Sequence, residues 1–508
     1  YANGLMTSAT NPLGHTKSYQ WPPFGRMDQG TDAGGGTQSY TRKNYSQGGL
    51  PNSVVRRETA KGVTTAYRHQ KWATGEELRR TTHADGTNSY RVSLAATGES
   101  EARSPSGMVL YSREAARPMY GLAAGYPTET RITRPSGIVS DSTMSMATAY
   151  ATPGDASTLE SITTNWTVNG RSGQSIFNAT TRRKVETSPL GRTQATEYDA
   201  LGRVTRSERP GVHPTEVDYT PTGQVQEIRR GENLAIRLQS LDYDEQQRIE
   251  SYTDPVGRLT GYDYDQANRL KKATLPDLKT VELSYDVAGN LQSFEPPGRP
   301  AYGFRYTERN ELRRIELPNA GAGIAAQEMR YDDDGRLERV DRPDGRSATF
   351  WWGTEQRLNQ VVSPRGSTTF GYDDDTGQLD TITDPEGDEL AFEYDGSVPT
   401  AVEWSGEVAG RVEATVDRDF RTSELRVNGE PIAYTYDGDS LLATVGPLSI
   451  EREAATGHVT SSAAGVVTAT PVLTDFGEVE LVTWTVAGPD GPEEIYAESF
   501  VYDARGWI

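Results

Sequence analysis

The sequence predicts an all-β protein built from tandem β-hairpins that form one long antiparallel ribbon. Three observations predict this fold class: an aromatic residue recurs about every 21 residues, apolar residues alternate before it, and a turn sequence and a proline follow it. The aromatic positions are Tyr198, Tyr219, Tyr243, Tyr264, Tyr285, Tyr306, Tyr331, Trp352, Tyr372 and Tyr394. Such a period is typical of repeat proteins, in which each unit must pack against its neighbours.

The segment before each aromatic residue has apolar side chains at every second position. Val281, Leu283 and Tyr285 show the pattern, and so do Phe370 and Tyr372. A period of two with aromatic and β-branched residues indicates a half-buried strand.

The aromatic residue is followed by Asp-x-x-Gly-Arg, which predicts a turn. The aspartate can accept a hydrogen bond from the backbone two residues on, and glycine or asparagine tolerates a positive φ angle. The glycine position is held by Gly202, Gly289, Gly335 and Gly377, and by Asn268 and Asn310 in two units.

A second strand follows the turn. In one unit it begins at Leu291, has Phe294 three residues later, and reaches Pro297 after three more. Because a spacing of three does not fit a regular strand, we expect a β-bulge between the two apolar residues. The proline should end the strand, since it cannot donate a hydrogen bond to the sheet.

The repeat motif supplies the candidate functional residues, and their predicted role is structural. They are Tyr198, Asp199, Gly202, Arg203, Tyr243, Arg248, Tyr264, Asp265, Arg269, Leu270, Tyr285, Asp286, Gly289, Leu291, Tyr306, Tyr331, Gly335, Arg336, Leu337, Trp352, Tyr372 and Tyr394. We expect the apolar members to lie on one face of the sheet, largely buried.

The regularity of the motif divides the chain into three ranges. Residues 1–186 hold degenerate repeats, residues 187–395 hold the regular array, and residues 396–508 continue it in degenerate form. A hidden repeat is expected around residues 417–420. Turns of degenerate units are predicted at residues 11–14, 23–26, 84–86, 134–137 and 188–191.

Two other fold classes fit less well. Proline and glycine recur too often for helices of ten residues or more. A β-propeller blade needs about 40–50 residues and four strands, roughly twice this period.

Composition narrows the range of partners. The 508 residues include 52 Lys and Arg against 72 Asp and Glu, a net charge of −20, which disfavours nucleic acid and anionic membranes as partners. The absence of cysteine excludes disulfides and thiolate sites. No apolar run reaches the ~20 residues that span a bilayer. The chain reads as an internal fragment of a longer protein.

Residues 331–337 match the motif Tyr-Asp-x-x-Gly-Arg-Leu, and other units contain variants of it. This motif, repeated at a regular period, resembles that of the RHS/YD-repeat family. That family includes bacterial Rhs proteins, the shell components of insecticidal toxin complexes, and animal teneurins. The resemblance implies a ribbon of hairpins that spirals into a hollow, barrel-like shell. In toxins the shell encloses a C-terminal polypeptide, whereas in teneurins and many surface proteins it serves adhesion to carbohydrates or proteins.

Toxin members of the family carry an Asp-Pro-x-Gly-Leu-like motif whose aspartates cleave the cargo. Asp254-Pro255 and Asp384-Pro385 look superficially similar. Each pair stands where every unit has its proline turn, so we interpret both as turns.

Other candidate sites have a structural alternative. The five histidines lack metal-ligand spacing. Residues 332–334 and 373–375 are each a run of three aspartates, which could bind Ca²⁺ or form a solvated turn. Four tryptophans could stack against a sugar or belong to the apolar core: Trp351, Trp352, Trp404 and Trp484. No cofactor is expected.

Three functions remain open. The first is a secreted or cell-surface bacterial scaffold, part of a shell around its own C-terminal cargo polypeptide, in contact with neighbouring shell segments. The second is an adhesion scaffold without cargo that binds glycans or cell-surface proteins. The third is a polysaccharide-cleaving enzyme, which would need two carboxylates in one cleft.

Overall fold

Successive strands in the described part of the chain pair with one another as hairpins. The computed structural model describes residues 1–23, 25–118, 121–231, 236–318 and 325–508. Within those ranges 44 strands belong to one sheet, and the pairs are antiparallel. Ala156–Thr158 forms a short 3-10 helix. The prediction of an all-β ribbon of hairpins is confirmed.

The first half of the chain contributes 22 strands. They are β1 Ser8–Thr10, β2 Thr16–Gln20, β3 Gln29–Thr31, β4 Thr37–Gln47, β5 Leu50–Thr59, β6 Thr64–Lys71, β7 Glu76–Thr82, β8 Asn88–Leu94, β9 Glu99–Arg103, β10 Val109–Arg117, β11 Gly121–Thr133, β12 Val139–Tyr150, β13 Leu159–Val168, β14 Arg171–Asn178, β15 Arg183–Thr187, β16 Thr193–Tyr198, β17 Val204–Arg209, β18 Val212–Tyr219, β19 Val225–Arg230, β20 Arg237–Tyr243, β21 Ile249–Thr253 and β22 Leu259–Tyr264.

The second half contributes the remaining strands. They are β23 Leu270–Thr274, β24 Thr280–Tyr285, β25 Leu291–Glu295, β26 Tyr302–Tyr306, β27 Leu312–Glu316, β28 Ala326–Tyr331, β29 Leu337–Asp341, β30 Ser347–Trp352, β31 Leu358–Ser363, β32 Gly366–Tyr372, β33 Leu379–Thr383, β34 Glu389–Asp395, β35 Val398–Trp404, β36 Gly410–Val416, β37 Thr422–Val427, β38 Glu430–Tyr436, β39 Leu442–Val445, β40 Leu448–Arg452, β41 Val459–Ala464, β42 Val467–Leu473, β43 Val479–Gly488 and β44 Gly491–Ser499.

The predicted bulge lies where the spacing of apolar residues placed it. In the β24–β25 hairpin Ser284 is opposite Ser293, whereas the next residue, Tyr285, is opposite Leu291, so Gln292 is an extra residue. The same shift recurs after the leucine position in the hairpins β20–β21, β26–β27, β28–β29, β30–β31 and β32–β33. The extra residue allows both Leu291 and Phe294 to pack on the same face despite their spacing of three.

The hidden repeat is also present. Phe420 has a positive φ of 63°, and its amide donates to the Asp417 carbonyl at 3.0 Å. Turn hydrogen bonds also close four of the five turns predicted for degenerate units: residues 11–14, 84–86, 134–137 and 188–191. The fifth, at residues 23–26, includes Phe24, which lies outside the described residues.

The strands divide into two units, each assembled from separated parts of the chain. Unit 1 comprises Tyr1–Tyr111, Ile132–Gly137 and Asp263–Val412, and unit 2 comprises Ser112–Arg131, Ile138–Tyr262 and Glu413–Ile508. The division of the chain at residues 186 and 395 rests on repeat regularity and stays a prediction.

The repeat residues are buried for the most part but not completely. None of Tyr264, Tyr285, Leu291, Tyr306 and Leu337 is exposed, which agrees with the prediction, and none is fully buried. Small residues such as Ala195, Ala273 and Ala401 are among the few fully buried apolar ones. The physical reason is that a ribbon covers its apolar face mainly with neighbouring hairpins, which leave the outer part of large rings accessible.

No helix in the described part of the chain is both long enough and apolar enough to cross a membrane.

Candidate functional site

The recurring turn is organised by its aspartate. In one unit of the regular array, Asp265 Oδ1 accepts hydrogen bonds from the amides of Ala267 at 2.8 Å and Arg269 at 2.9 Å. Its Oδ2 accepts from Arg269 Nε at 2.7 Å. The Asn268 amide donates to the Asp265 carbonyl at 3.1 Å. The predicted bond to the backbone two residues on is therefore confirmed, and the arginine adds an ion pair.

This ion pair recurs along the chain. An aspartate and an arginine four residues later pair in the turns Asp199–Arg203, Asp244–Arg248, Asp254–Arg258, Asp332–Arg336 and Asp417–Arg421. In the Asp286 turn Asn290 replaces the arginine and donates to Asp286 Oδ2 at 3.0 Å. The predicted positive φ is present at Gly202, Gly289, Gly335, Gly377, Asn268 and Asn310.

The turn carboxylates are held in their charged form. The amide and guanidinium of Arg269 lower the pKa of Asp265. Burial by itself would raise the pKa of Asp332, but the hydrogen bonds and charge of Arg336 outweigh it, so the pKa of Asp332 is lowered. An ionised, fully engaged carboxylate is a poor proton donor or base, because it gains nothing from protonation.

The arginine also joins one repeat to the next. The Arg269 guanidinium lies 4.5 Å from the ring centre of Tyr285, and the Tyr285 hydroxyl donates to the Leu270 carbonyl at 2.9 Å. A cation–π contact and a hydrogen bond therefore attach Tyr285 to the preceding turn. The ring contact recurs in the pairs Arg203–Tyr219, Arg336–Trp352, Arg357–Tyr372 and Arg421–Tyr436.

The other motif residues take equivalent places. Tyr243 donates to the Val225 carbonyl and Tyr331 to the Leu312 carbonyl. Burial raises the pKa of Tyr306, and Leu337 is opposite Tyr331. Tyr198 makes an edge contact with Phe177, and Tyr264 and Tyr394 lie at the ends of β22 and β34.

A second set of carboxylates was missed by sequence reasoning. Asp334 accepts from Thr59 Oγ1 at 2.7 Å and from the Lys61 amide at 3.1 Å, all within unit 1. In the same unit Asp395 accepts from the amide and the hydroxyl of Ser136. Each carboxylate caps a turn more than 250 residues earlier, so two passes of the ribbon lie edge to edge in this unit.

Unit 2 has the same arrangement. Asp439 accepts from Ser188 Oγ at 2.7 Å, from the Leu190 amide at 3.0 Å and from Arg192 at 2.8 Å. We call Asp334, Asp395 and Asp439 the turn-capping carboxylates. No local sequence signal could have identified them, because donor and acceptor are hundreds of residues apart.

The two adjacent tryptophans, Trp351 and Trp352, have different surroundings. Trp352 donates its indole N–H to the Leu337 carbonyl at 2.8 Å, as a core residue should. Trp351, in contrast, is 57% exposed, so the core interpretation is wrong for that residue.

The two Asp-Pro pairs form turns. Asp254 pairs with Arg258, and Asp384 Oδ1 accepts from the amides of Glu386 and Asp388. Across the described residues no three His, Asp or Glu side chains converge into a group able to hold a metal ion.

Comparison with known proteins places this fold in a family. A family model described as Teneurin YD-shell matches residues 1–508. A solved structure described as TcdB2-TccC3-Cdc42 has 10% sequence identity and a TM-score of 0.50, and the match covers 99% of this chain and 35% of the solved chain. Another, described as TcdB2-TccC3 without its hypervariable C-terminal region, has 11% identity and a TM-score of 0.50, and the match covers 98% of this chain and 34% of the solved chain.

At these identities the structural similarity shows the fold alone. The chain spans about a third of the length of the solved chains it matches. No curated protein matches it.

Proposed function

The chain belongs to the teneurin YD-shell family, and from that premise we propose that it forms part of a shell around a C-terminal toxin or effector polypeptide. The ribbon itself is a non-catalytic scaffold in this proposal. Its partners are the enclosed polypeptide and neighbouring shell segments.

The observation that carries the proposal is how the recurring residues of the repeat are used. The aspartate, arginine and tyrosine of each unit bond to one another and to the backbone, as in Asp265, Arg269 and Tyr285. The polar groups of these three side chains are engaged in bonds that stabilise the ribbon, so they are poorly placed to act on a substrate. Activity is therefore expected in what the ribbon holds.

The similar structures support a cargo at the C-terminal side. One of them is described as lacking a hypervariable C-terminal region, which shows that the complete protein of that kind has one. We extend this to the present protein as a proposal. We also propose that the parent protein is secreted or displayed at the cell surface.

A cryo-EM map of the full-length parent protein tests the encapsulation. The expected result is density inside the ribbon that the repeats do not account for. A matched sample from which the segment after the array is deleted should lose that density and keep the ribbon. A ribbon that encloses nothing in the full-length protein would overturn the proposal and favour an adhesion scaffold without cargo.

A further inference from the structure

Unit 2 contains a cavity of about 580 Å³ that the repeat motif does not explain. Its volume is in the range typical of small-molecule sites. Trp166, Arg209 and Arg230 contribute to its lining, together with Ser188 and Asp439 of the turn-capping contact. The cavity therefore lies beside a contact that fixes the position of its walls.

The carboxylates that line this cavity are already engaged. Asp439 accepts from Arg192 at 2.8 Å, as well as from Ser188 and Leu190. Glu186 lies 3.2 Å from Lys184 in an ion pair. Negative charge on the lining is therefore balanced by the protein itself.

Two arginines of the lining form no ion pair of their own among the described residues. Arg209 is exposed. Arg230 donates to the carbonyl of Phe476, and its charge helps to lower the pKa of Glu478, a carboxylate that is already paired with Arg237. In a chain of net charge −20, this local excess of arginine suits an anion, since a guanidinium matches the geometry of a carboxylate.

The cavity also offers a flat apolar surface. The Trp166 ring packs directly on Gly173, because a Cβ added to that glycine would lie 2.1 Å from the ring. Gly173 thus covers part of the ring, and Trp166 also contributes to the lining of the cavity. Thr193, Gln194 and Thr456 add polar groups around it.

We propose that this cavity binds a small ring compound that carries one carboxylate. Arg209 and Arg230 hold the carboxylate, and Trp166 packs against the ring. The chemistry is shared by an acidic sugar and by an aromatic acid. The proposal is independent of the encapsulation of a cargo.

Isothermal titration calorimetry on the whole chain with galacturonate, benzoate and glucose tests it. We expect one of the two acids to bind with a stoichiometry of one, and glucose, which lacks the carboxylate, not to bind. Galacturonate binding identifies the sugar as the source of the ring, and benzoate binding identifies the aromatic acid. Failure of both acids to bind at millimolar concentration, or equal binding of glucose, would overturn the proposal.

Three variants locate the binding. Arg209→Gln and Arg230→Gln should each weaken binding of the acid by about tenfold or more, because each removes a charge-assisted hydrogen bond. Arg209 is the decisive position, since its exposed side chain makes no contact on which folding depends. Arg365→Gln, a change of an exposed arginine in unit 1, is the matched control and should bind normally. Unchanged affinity in Arg209→Gln and Arg230→Gln would overturn the assignment.

Discussion

Aspartate, arginine and an aromatic residue form one connected group in many of the repeats, as in Asp265, Arg269 and Tyr285. The aspartate orients the arginine through both its amide and its guanidinium, and the arginine packs on the tyrosine of the next repeat. Each of these contacts is small by itself, of the order of 1 kcal/mol. Their repetition stabilises a ribbon that has few fully buried apolar side chains.

Tyr285→Phe isolates the hydrogen bond in this group. The ring and its contact with Arg269 remain, but the bond from the hydroxyl to the Leu270 carbonyl at 2.9 Å is lost. We expect the β23–β25 amides to lose about 1 kcal/mol of protection in hydrogen exchange. Tyr302→Phe is the control, because its hydroxyl has no hydrogen-bond partner among the described residues. An equal effect in both variants would contradict the role of the Tyr285 hydroxyl.

Glu77 gives unit 1 a pH-dependent contact. Hydrogen bonding from Arg79, with help from His69 and Lys71, lowers the pKa of Glu77 to about 2. A carboxyl whose folded pKa is below its unfolded value stabilises the fold above the unfolded pKa and loses that effect as pH falls. We therefore expect the β6–β7 hairpin to lose protection between about pH 5 and pH 2.

Hydrogen exchange of the β6 and β7 amides across that pH window is the measurement. In the Glu77→Gln variant the β6 and β7 amides should be less protected at neutral pH than in the wild type. Their protection should also lack the part of the decrease at low pH that protonation of Glu77 causes. A wild-type hairpin with the same pH dependence as Glu77→Gln would contradict the assignment.

At the scale of elements, the chain contains two kinds of turn with different structural roles. The Asp-x-x-Gly turn satisfies its own backbone, as the Asp265 turn shows. In the turns that begin at Thr59 and Ser188, an aspartate from a distant hairpin accepts from the amide of the third residue. Leu190 with Asp439 is an example. The first kind of turn builds hairpins, and the second joins passes of the ribbon within a unit.

Asp439→Asn tests the joining contact in unit 2. Asparagine retains one acceptor oxygen but loses one of the two carboxylate charges, those of Asp437 and Asp439, that pair with Arg192, whose side chain is only 13% exposed. We expect a loss of about 1–3 kcal/mol, seen as faster exchange of the Leu190 amide. Asp475→Asn is the control, since that side chain is 87% exposed. Equal exchange at Leu190 in both variants would show that Asp439 is dispensable.

At the scale of the whole molecule, charge sets the kind of surface that the chain presents. A net charge of −20 repels polyanions at long range, and the arginines of the repeat are largely occupied by ion pairs. We expect no complex with double-stranded DNA or with anionic lipid vesicles at physiological salt. Mobility-shift and vesicle-flotation assays check this. A complex that weakens steeply with added salt would contradict it, because it would reveal a basic surface.

The hairpin itself was predictable in detail. The φ of Asn268, the bulge at Gln292 and the turn at Asp417 all follow from residues no more than about 20 positions apart. The part of each ring that stays accessible was not predictable, because the pattern at Tyr285 shows which face is apolar but not how completely a neighbour covers it. The arginine ion pair could have been found from its constant spacing to the aspartate.

What the sequence by itself determined is therefore the all-β class, the repeating hairpin and its turns. Local chemistry is sufficient there, since period-two alternation and a left-handed glycine or asparagine act within one unit. Only the tertiary structure decided which hairpins meet edge to edge, as in Asp439 with Ser188, and that a cavity lined in part by Arg209 and Arg230 lies beside them. Contacts between residues hundreds of positions apart depend on how the ribbon twists and bends, and small angles added over many strands leave no trace in the local sequence.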